Sequence, residues 1–185
     1  MTRRSIATSP QAYARLAGAS YLATIVTGAM AAFSSSGQVV CILIATAAYV
    51  VVTLIFYGLF KPVNERLSLA AACFSLAGCA LGALGSFRAA PLPISPLVFF
   101  GVYCLLIGYL ILKSTFLPRI LGALMAFGGL SWLTFVSMPL AVALAPYNMA
   151  PGVIGEGALA LWLVIKGVKS PGARVPGTVS SSHSL

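Results

Sequence analysis

The sequence carries very little charge, and acidic residues are almost missing from it. Of its 185 residues, 7% are charged and only two are acidic, whereas 60% are hydrophobic. The mean hydropathy is +1.03. A water-soluble domain of this length needs far more polar residues to cover its surface. The composition therefore excludes a soluble globule and predicts a membrane protein whose main partner is the lipid bilayer.

The side chains of familiar catalytic and metal sites are also lacking. The single histidine, His183, lies in the C-terminal tail, and Glu156 is the only carboxyl inside an apolar run. These residues cannot assemble a zinc or haem ligand set, a Ser/His/Asp arrangement or a pair of carboxylates. We expect neither an enzyme nor a bound cofactor or metal.

The four cysteines all fall inside apolar runs, so a disulfide framework is not expected. Cys73 and Cys79 are six residues apart, roughly 240° around a helix, and therefore share no face on which to bind a metal.

Long apolar runs divide the chain into predicted membrane-spanning helices. Each run is close to the roughly 17 to 25 residues that cross the hydrocarbon as a helix. The breaks between the runs combine Pro or Gly with polar residues, which end helices. We predict an all-α, polytopic bundle of six transmembrane helices with short loops, over the following runs: Leu16–Phe33, Val39–Phe60, Ser68–Phe87, Leu92–Leu112, Ile120–Ala145 and Met149–Ile165.

The basic residues predict the orientation of this bundle. Lys and Arg near short loops are retained in the cytoplasm, and all eleven except Arg88 lie near the termini or at the second and fourth loops. We therefore predict that both termini are cytoplasmic. Residues 1–14 form an N-terminal segment, 15–168 the transmembrane domain and 169–185 a disordered tail. The alternative is a cleaved signal peptide at the first run, which leaves five spans.

The net charge of +9 follows from these basic helix ends. Contact with anionic lipid headgroups explains it, so we expect no nucleic-acid partner.

Hydroxyl side chains recur at helical spacing on three of the predicted helices. The three stripes are Ser20, Thr24 and Thr27; Thr46, Tyr49, Thr53 and Tyr57; and Ser131, Thr134 and Ser137. They line a polar cavity or, as the stronger alternative, they pack helices against one another.

Two further features predict how the helices pack. Gly78 and Gly82 form a small-xxx-small pair, so we expect a central third helix whose glycine seam tolerates no larger side chain. A homodimer contact through the same surface is the alternative. Pro139 is expected to kink the fifth helix.

Glu156 lies between two glycines in the last apolar run, about 10 Å below the predicted outer surface at roughly 1.5 Å per residue. Because a charged acid facing lipid is costly, we predict that it faces the bundle interior. Gly152 and Ala160, four residues away on either side, give it room against a neighbouring helix. Its predicted partner is Arg88 or, if the carboxyl is protonated, one of four hydroxyls: Thr27, Thr46, Tyr103 or Ser137.

Three blocks of the sequence resemble a known family: "KPVNERLSLAA", "FFGVYCLLIGYLILKSTFLPRILGALMAFGGLSWL" and "GVIGEGALALWLVIKGV". They are similar, in the same order, to the bacterial membrane family known as domain of unknown function 4386, and the likeness runs from about Arg15 to Val168. It implies a six-span protein of the bacterial inner membrane and implies no activity. Glu156 matches the family's acidic position in the last span. The short first and third loops depart from the family pattern, as do Ser75 and Gly78, where relatives often carry charge.

Two functions are compatible with the sequence. In the first, the protein transports or senses a small molecule or ion in a polar cavity around Glu156. In the second, it is a non-catalytic scaffold or the subunit of a membrane partner, and Glu156 only packs helices. The candidate cavity residues are Glu156, Arg88, Thr27, Thr46, Tyr49, Tyr103 and Ser137.

Overall fold

The computed structural model describes residues 10–33, 37–87 and 94–168. The predicted tail and Arg88 lie outside the described residues. Within these ranges the chain is all-α, as predicted, and contains no strand. The helices are α1 (Pro10–Phe33), α2 (Gln38–Phe60), α3 (Glu65–Ser86), α4 (Pro96–Lys113), α5 (Arg119–Leu133), α6 (Met138–Ala143) and α7 (Ala150–Ile165), with a 3₁₀ turn over Thr134–Val136.

The outer surface of the helices is apolar. Five helical stretches are long and apolar enough to cross a bilayer, namely α1 to α4 and the stretch Arg119–Val136, while α7 is apolar but shorter. Large apolar side chains such as Phe33 and Val136 point outward, 92% and 74% exposed. Soluble proteins rarely expose apolar surface on this scale. The protein is therefore embedded in a membrane.

The six long helices form a closed ring. Each one packs mainly against two others, in the order α1, α2, α3, α4, α5, α7 and back to α1. Successive helices are neighbours because short loops join them, and α7 closes the ring between α5 and α1. Tyr21, Phe56, Tyr103, Met125 and Leu159, from five different helices, are fully buried among them. The predicted central place of α3 is wrong, since α3 packs on α2 and α4 as one member of the ring.

The loop "KPVNER" shows how local chemistry ends one helix and begins the next. The Asn64 side chain accepts a hydrogen bond from the Leu67 N–H at 3.0 Å and so caps the start of α3. Lys61 and Glu65 form an exposed ion pair across the turn at 3.1 Å. The hydrogen bond and the charge of this carboxylate raise the pKa of Lys61 above its ordinary value.

The fifth predicted helix is broken rather than kinked. α5 ends at Leu133, a single 3₁₀ turn follows, and α6 begins at Met138 with Pro139 in its first turn. Pro has no N–H and clashes with the carbonyl four residues before it, so a helix is best interrupted just ahead of it. Asn148 fastens the break by donating hydrogen bonds to the Thr134 hydroxyl at 3.2 Å and to the Ala141 carbonyl at 3.3 Å. Asn148 thus joins the 3₁₀ turn to the last turn of α6.

Glycines bring α4 and α5 into backbone contact. A methyl group added to Gly108 would lie 2.7 Å from the Gly122 carbonyl oxygen, and one added to Gly129 would lie 2.7 Å from the Gly101 carbonyl oxygen. Both distances are shorter than atoms tolerate, so only glycine fits at these crossings.

The predicted seam on α3 is wrong at Gly82, where an added methyl group meets nothing within 4 Å. A methyl group added to its partner Gly78 would lie 3.1 Å from the Phe100 ring, so a large side chain and not a second backbone lies opposite. Close approach needs small residues on both helices, and α4 supplies none opposite Gly78 or Gly82, whereas α4 and α5 supply them face to face.

Gly108→Ala and Gly82→Ala form a matched pair that tests this packing. We expect Gly108→Ala to destabilise the bundle by about 1 to 3 kcal/mol, because backbones must separate to admit the methyl group. Gly82→Ala should leave stability unchanged or raise it by up to about 1 kcal/mol, because alanine favours the helix. Thermal unfolding in a mild detergent measures both. Equal melting of Gly108→Ala and the parent would contradict the α4–α5 contact.

Candidate functional site

Glu156 points into the bundle, as predicted, and only 8% of it is exposed. The position follows from the glycines around it. A methyl group on Gly155 would lie 2.6 Å from the Leu124 carbonyl oxygen, and one on Gly152 would overlap the Trp132 ring. α7 therefore packs directly on α5, and the Glu156 carboxyl lies among side chains in the interior of the helix bundle.

Two side chains donate hydrogen bonds to the same carboxyl oxygen of Glu156. The Trp132 indole N–H, from the last turn of α5, lies 3.0 Å from Oε1. The Cys104 thiol, from α4, lies 3.3 Å from the same atom. The carboxyl thus joins α7 to α4 and to α5.

Tyrosine rings continue the polar site from Tyr21 across the bundle. The Tyr21 and Tyr49 hydroxyl oxygens are 3.3 Å apart and share a hydrogen bond. The centroid of the Tyr49 ring is 5.4 Å from that of Tyr21, 5.6 Å from that of Tyr103 and 4.7 Å from that of Phe100. We define the Glu156 cluster as Glu156, Tyr21, Tyr49, Tyr103, Cys104 and Trp132.

The Tyr103 hydroxyl is the unsatisfied member of this cluster. Tyr103 is 1% exposed, and its hydroxyl oxygen has no hydrogen-bond partner among the described residues. A buried hydroxyl without a partner costs about 1 to 3 kcal/mol. Such groups are uncommon in folded proteins, and each calls for an explanation in its site.

The hydrogen bonds to Glu156 favour the negative form of its carboxyl. Every side chain that reaches Glu156 does so with a hydrogen-bond donor, and donors stabilise a carboxylate. Within the parts of the chain that the structure describes, Glu156 forms no ion pair, and no group of three His, Cys, Asp or Glu side chains is placed to hold a metal. Among the described residues, the carboxyl thus has hydrogen-bond donors beside it but no cation.

The structure gathers some of the predicted cavity residues and separates others. Tyr49 and Tyr103 lie in the cluster with Glu156, whereas Arg88 is outside the described residues. Thr27 donates to the Ala23 carbonyl of its own helix at 2.7 Å, and Thr46 lies half-buried one turn before Tyr49. Ser137 stands at the break between α5 and α6. Their roles in binding stay predictions.

Sequence reasoning missed three members of the cluster: Tyr21, Cys104 and Trp132. A signal was present for two of them, because the N–H of a buried Trp and the O–H of a buried Tyr need polar partners. Cys104 gave no such signal, since a free cysteine packs well in an apolar core.

Much of the hydroxyl pattern serves helix packing. Thr53 shares a 2.5 Å hydrogen bond with Ser75 and so joins α2 to α3. Thr24 donates to the Ala45 carbonyl at 3.2 Å and joins α1 to α2. For these residues the packing alternative describes the structure, and of the stripe on α2 only Tyr49 enters the Glu156 cluster.

Trp132→Phe and Trp162→Phe test the bond to Glu156. Trp132→Phe keeps an aromatic ring but removes the N–H donor, so we expect a loss of about 1 to 3 kcal/mol in stability from the poorly satisfied carboxyl. Trp162, on α7 outside the cluster, is the control and should change stability by much less. Thermal melting of purified protein measures both losses, and equal losses would contradict a specific role for the Trp132 bond.

Comparison with known proteins bears on the same part of the chain. Residues 92–167 match the family described as Domain of unknown function (DUF4386). A protein of Archaeoglobus fulgidus, described only as uncharacterized, is 30% identical over 129 residues, which cover 65% of this chain and 77% of that protein. No solved structure matches the chain. The matched residues contain α4 to α7 and, with them, Glu156, Trp132 and Cys104, and on these grounds the chain belongs to the DUF4386 family.

Proposed function

We propose that this chain is a six-span protein of the bacterial inner membrane with both ends in the cytoplasm. The ring of six helices supports this number of spans. α7 has 16 residues, or roughly 24 Å at 1.5 Å per residue, which is slightly short of the roughly 30 Å hydrocarbon core. The 3₁₀ turn after α5 completes the fifth membrane-spanning segment. The apolar residues next to α7 lengthen the sixth membrane-spanning segment.

Within this topology, the Glu156 cluster binds a small molecule that the protein transports or senses. One observation carries the proposal: a buried carboxyl receives hydrogen bonds from Trp132 and Cys104, forms no ion pair within the described residues, and shares its cluster with the unsatisfied Tyr103 hydroxyl. Ionisable groups in the membrane interior are expensive and usually mark a path or binding site. A ligand that pairs with both groups accounts for both costs.

A scaffold function has its own support in the structure. The hydrogen bonds of Glu156 join α7 to α4 and to α5, which is what a residue that only locks helices together does. In that function no ligand binds to the cluster. Neither of the two functions includes catalysis, so they differ only in whether a small molecule is held beside Glu156.

Native mass spectrometry of protein gently extracted from its own membrane separates the two functions. We expect a retained small mass on the parent chain and its loss in Glu156→Gln, because Gln keeps the shape of the side chain but has no charge. Gln also keeps a carbonyl acceptor for Trp132, so the variant should stay folded. Thermal melting in the same detergent verifies the fold. Parent and variant spectra without any retained mass would favour the scaffold.

Cysteine labelling tests the topology. In a background without the four native cysteines, Tyr147→Cys, at an 81% exposed position between α6 and α7, should react with an impermeant maleimide in intact cells. Asn64→Cys, in the exposed loop between α2 and α3, should react only after permeabilisation. Reaction of both from the same side would refute six spans with cytoplasmic ends.

A further inference from the structure

We propose that the ligand of the Glu156 cluster is a small primary ammonium ion, that is, a group with one positive charge and several N–H donors. The inference rests on the proposed small-molecule function and gives the chemical class of its ligand. It follows from three properties of the cluster: its charge, its free acceptors and its size.

The hydrogen-bond donors around Glu156 suit a carboxylate, and a carboxylate suits a cationic ligand. Trp132 N–H and Cys104 S–H aim at Oε1 of Glu156 and favour the carboxylate form. Within the described ranges, the Lys and Arg residues lie at or near helix ends, and none pairs with Glu156. A carboxylate buried in a membrane without a counter-ion is strongly disfavoured. A bound cation supplies the missing charge, whereas a bound anion adds to the excess.

The free acceptors of the cluster fit N–H donors. The Tyr103 hydroxyl oxygen is buried and has no partner among the described residues. The rings of Tyr21, Tyr49 and Tyr103 lie together, and aromatic faces attract cations. We expect the ammonium group to donate to the carboxylate and to the Tyr103 oxygen and to lie against one of these rings. A neutral apolar ligand leaves the Tyr103 oxygen unpaired.

The same residues argue against a divalent metal. Such an ion takes several carboxylate, carbonyl or imidazole ligands. Among the described residues no group of three acidic, His or Cys side chains comes together to hold one. The cluster supplies a single carboxylate and otherwise aromatic hydroxyls, an indole and a thiol.

The packing of the cluster sets the size of the ligand. Tyr21, Tyr103 and Cys104 are at most 1% exposed, and the rings beside Tyr49 are in contact. We therefore expect a ligand the size of ammonium or methylammonium, because a larger one would have to displace more of these side chains. A quaternary ammonium ion is larger and has no N–H to donate, so it cannot satisfy the Tyr103 hydroxyl.

Trp132 provides a reporter inside the cluster. The chain has two tryptophans, so Trp162→Phe leaves Trp132, whose indole N–H bonds to Glu156, as the single source of tryptophan emission. Full-length Trp162→Phe protein in lipid nanodiscs is titrated with methylammonium chloride. Sodium chloride controls for ionic strength, and tetramethylammonium chloride has the same charge without N–H donors. We expect a saturable change in emission with methylammonium alone.

Two substitutions then test whether Glu156 and Tyr103 bind the methylammonium ion. Glu156→Gln should weaken methylammonium binding by about 10- to 100-fold, the value of a charge-assisted hydrogen bond. Tyr103→Phe should weaken binding by up to about tenfold but should not lower the melting temperature of the ligand-free protein, because its hydroxyl bonds to no described residue. A hydroxyl with a purely structural role would instead lower the melting temperature and leave binding unchanged.

The outcomes separate this inference from the function on which it rests. A retained mass that depends on Glu156, together with no response to methylammonium, overturns the ammonium class and leaves small-molecule binding standing. An equal response to sodium or to tetramethylammonium also overturns it, because charge alone would then suffice. The absence of both a retained mass and a methylammonium response overturns the two proposals together.

Discussion

The bundle depends on one constraint: a polar group in the membrane interior must find its partners within the protein. Lipid offers no hydrogen bonds, so the Glu156 carboxyl is held by side chains from other helices. Those partners come from α4 and α5. A single residue of α7 thus connects three of the six helices in the ring. Apolar packing alone defines poorly how a transmembrane helix is rotated about its axis. The Glu156 carboxyl sets that rotation for α7.

The glycines make these connections short enough to form. Gly152 leaves space for the Trp132 ring beside α7, and Gly155 allows α7 to reach the backbone of α5 at Leu124. Gly108 and Gly122 do the same for α4 and α5. Larger residues at these positions would move the donors away from Oε1. The small residues and the buried acid are therefore parts of one arrangement, in which close backbones position polar side chains.

Much of this architecture can be predicted from the sequence. The apolar runs fix the helices because the thickness of the bilayer sets their length, and the cost of exposing a carboxyl to lipid turns Glu156 inward. The hydrogen-bond partners could not be predicted, because they depend on the order of helices around the ring and on their rotation. Gly82 shows the same limit: its spacing suggests a seam, but only the residue on the opposite helix decides whether one forms. At Pro139 the sequence indicates that the helix is disturbed. Whether the helix kinks or breaks depends on Asn148, which lies beyond α6 in the chain.

The position of Trp132 links the interior of the bundle to its edge. This residue lies in the last turn of α5, immediately before the 3₁₀ turn, and the loop residue Asn148 fastens that turn through Thr134. The hydrogen bond of Trp132 to Glu156 and the hydrogen bond of Asn148 to Thr134 therefore lie two residues apart in the chain. The same short stretch ends α5, begins the break before α6 and holds the buried carboxyl of α7, so a substitution at the break acts within two residues of the donor to Glu156.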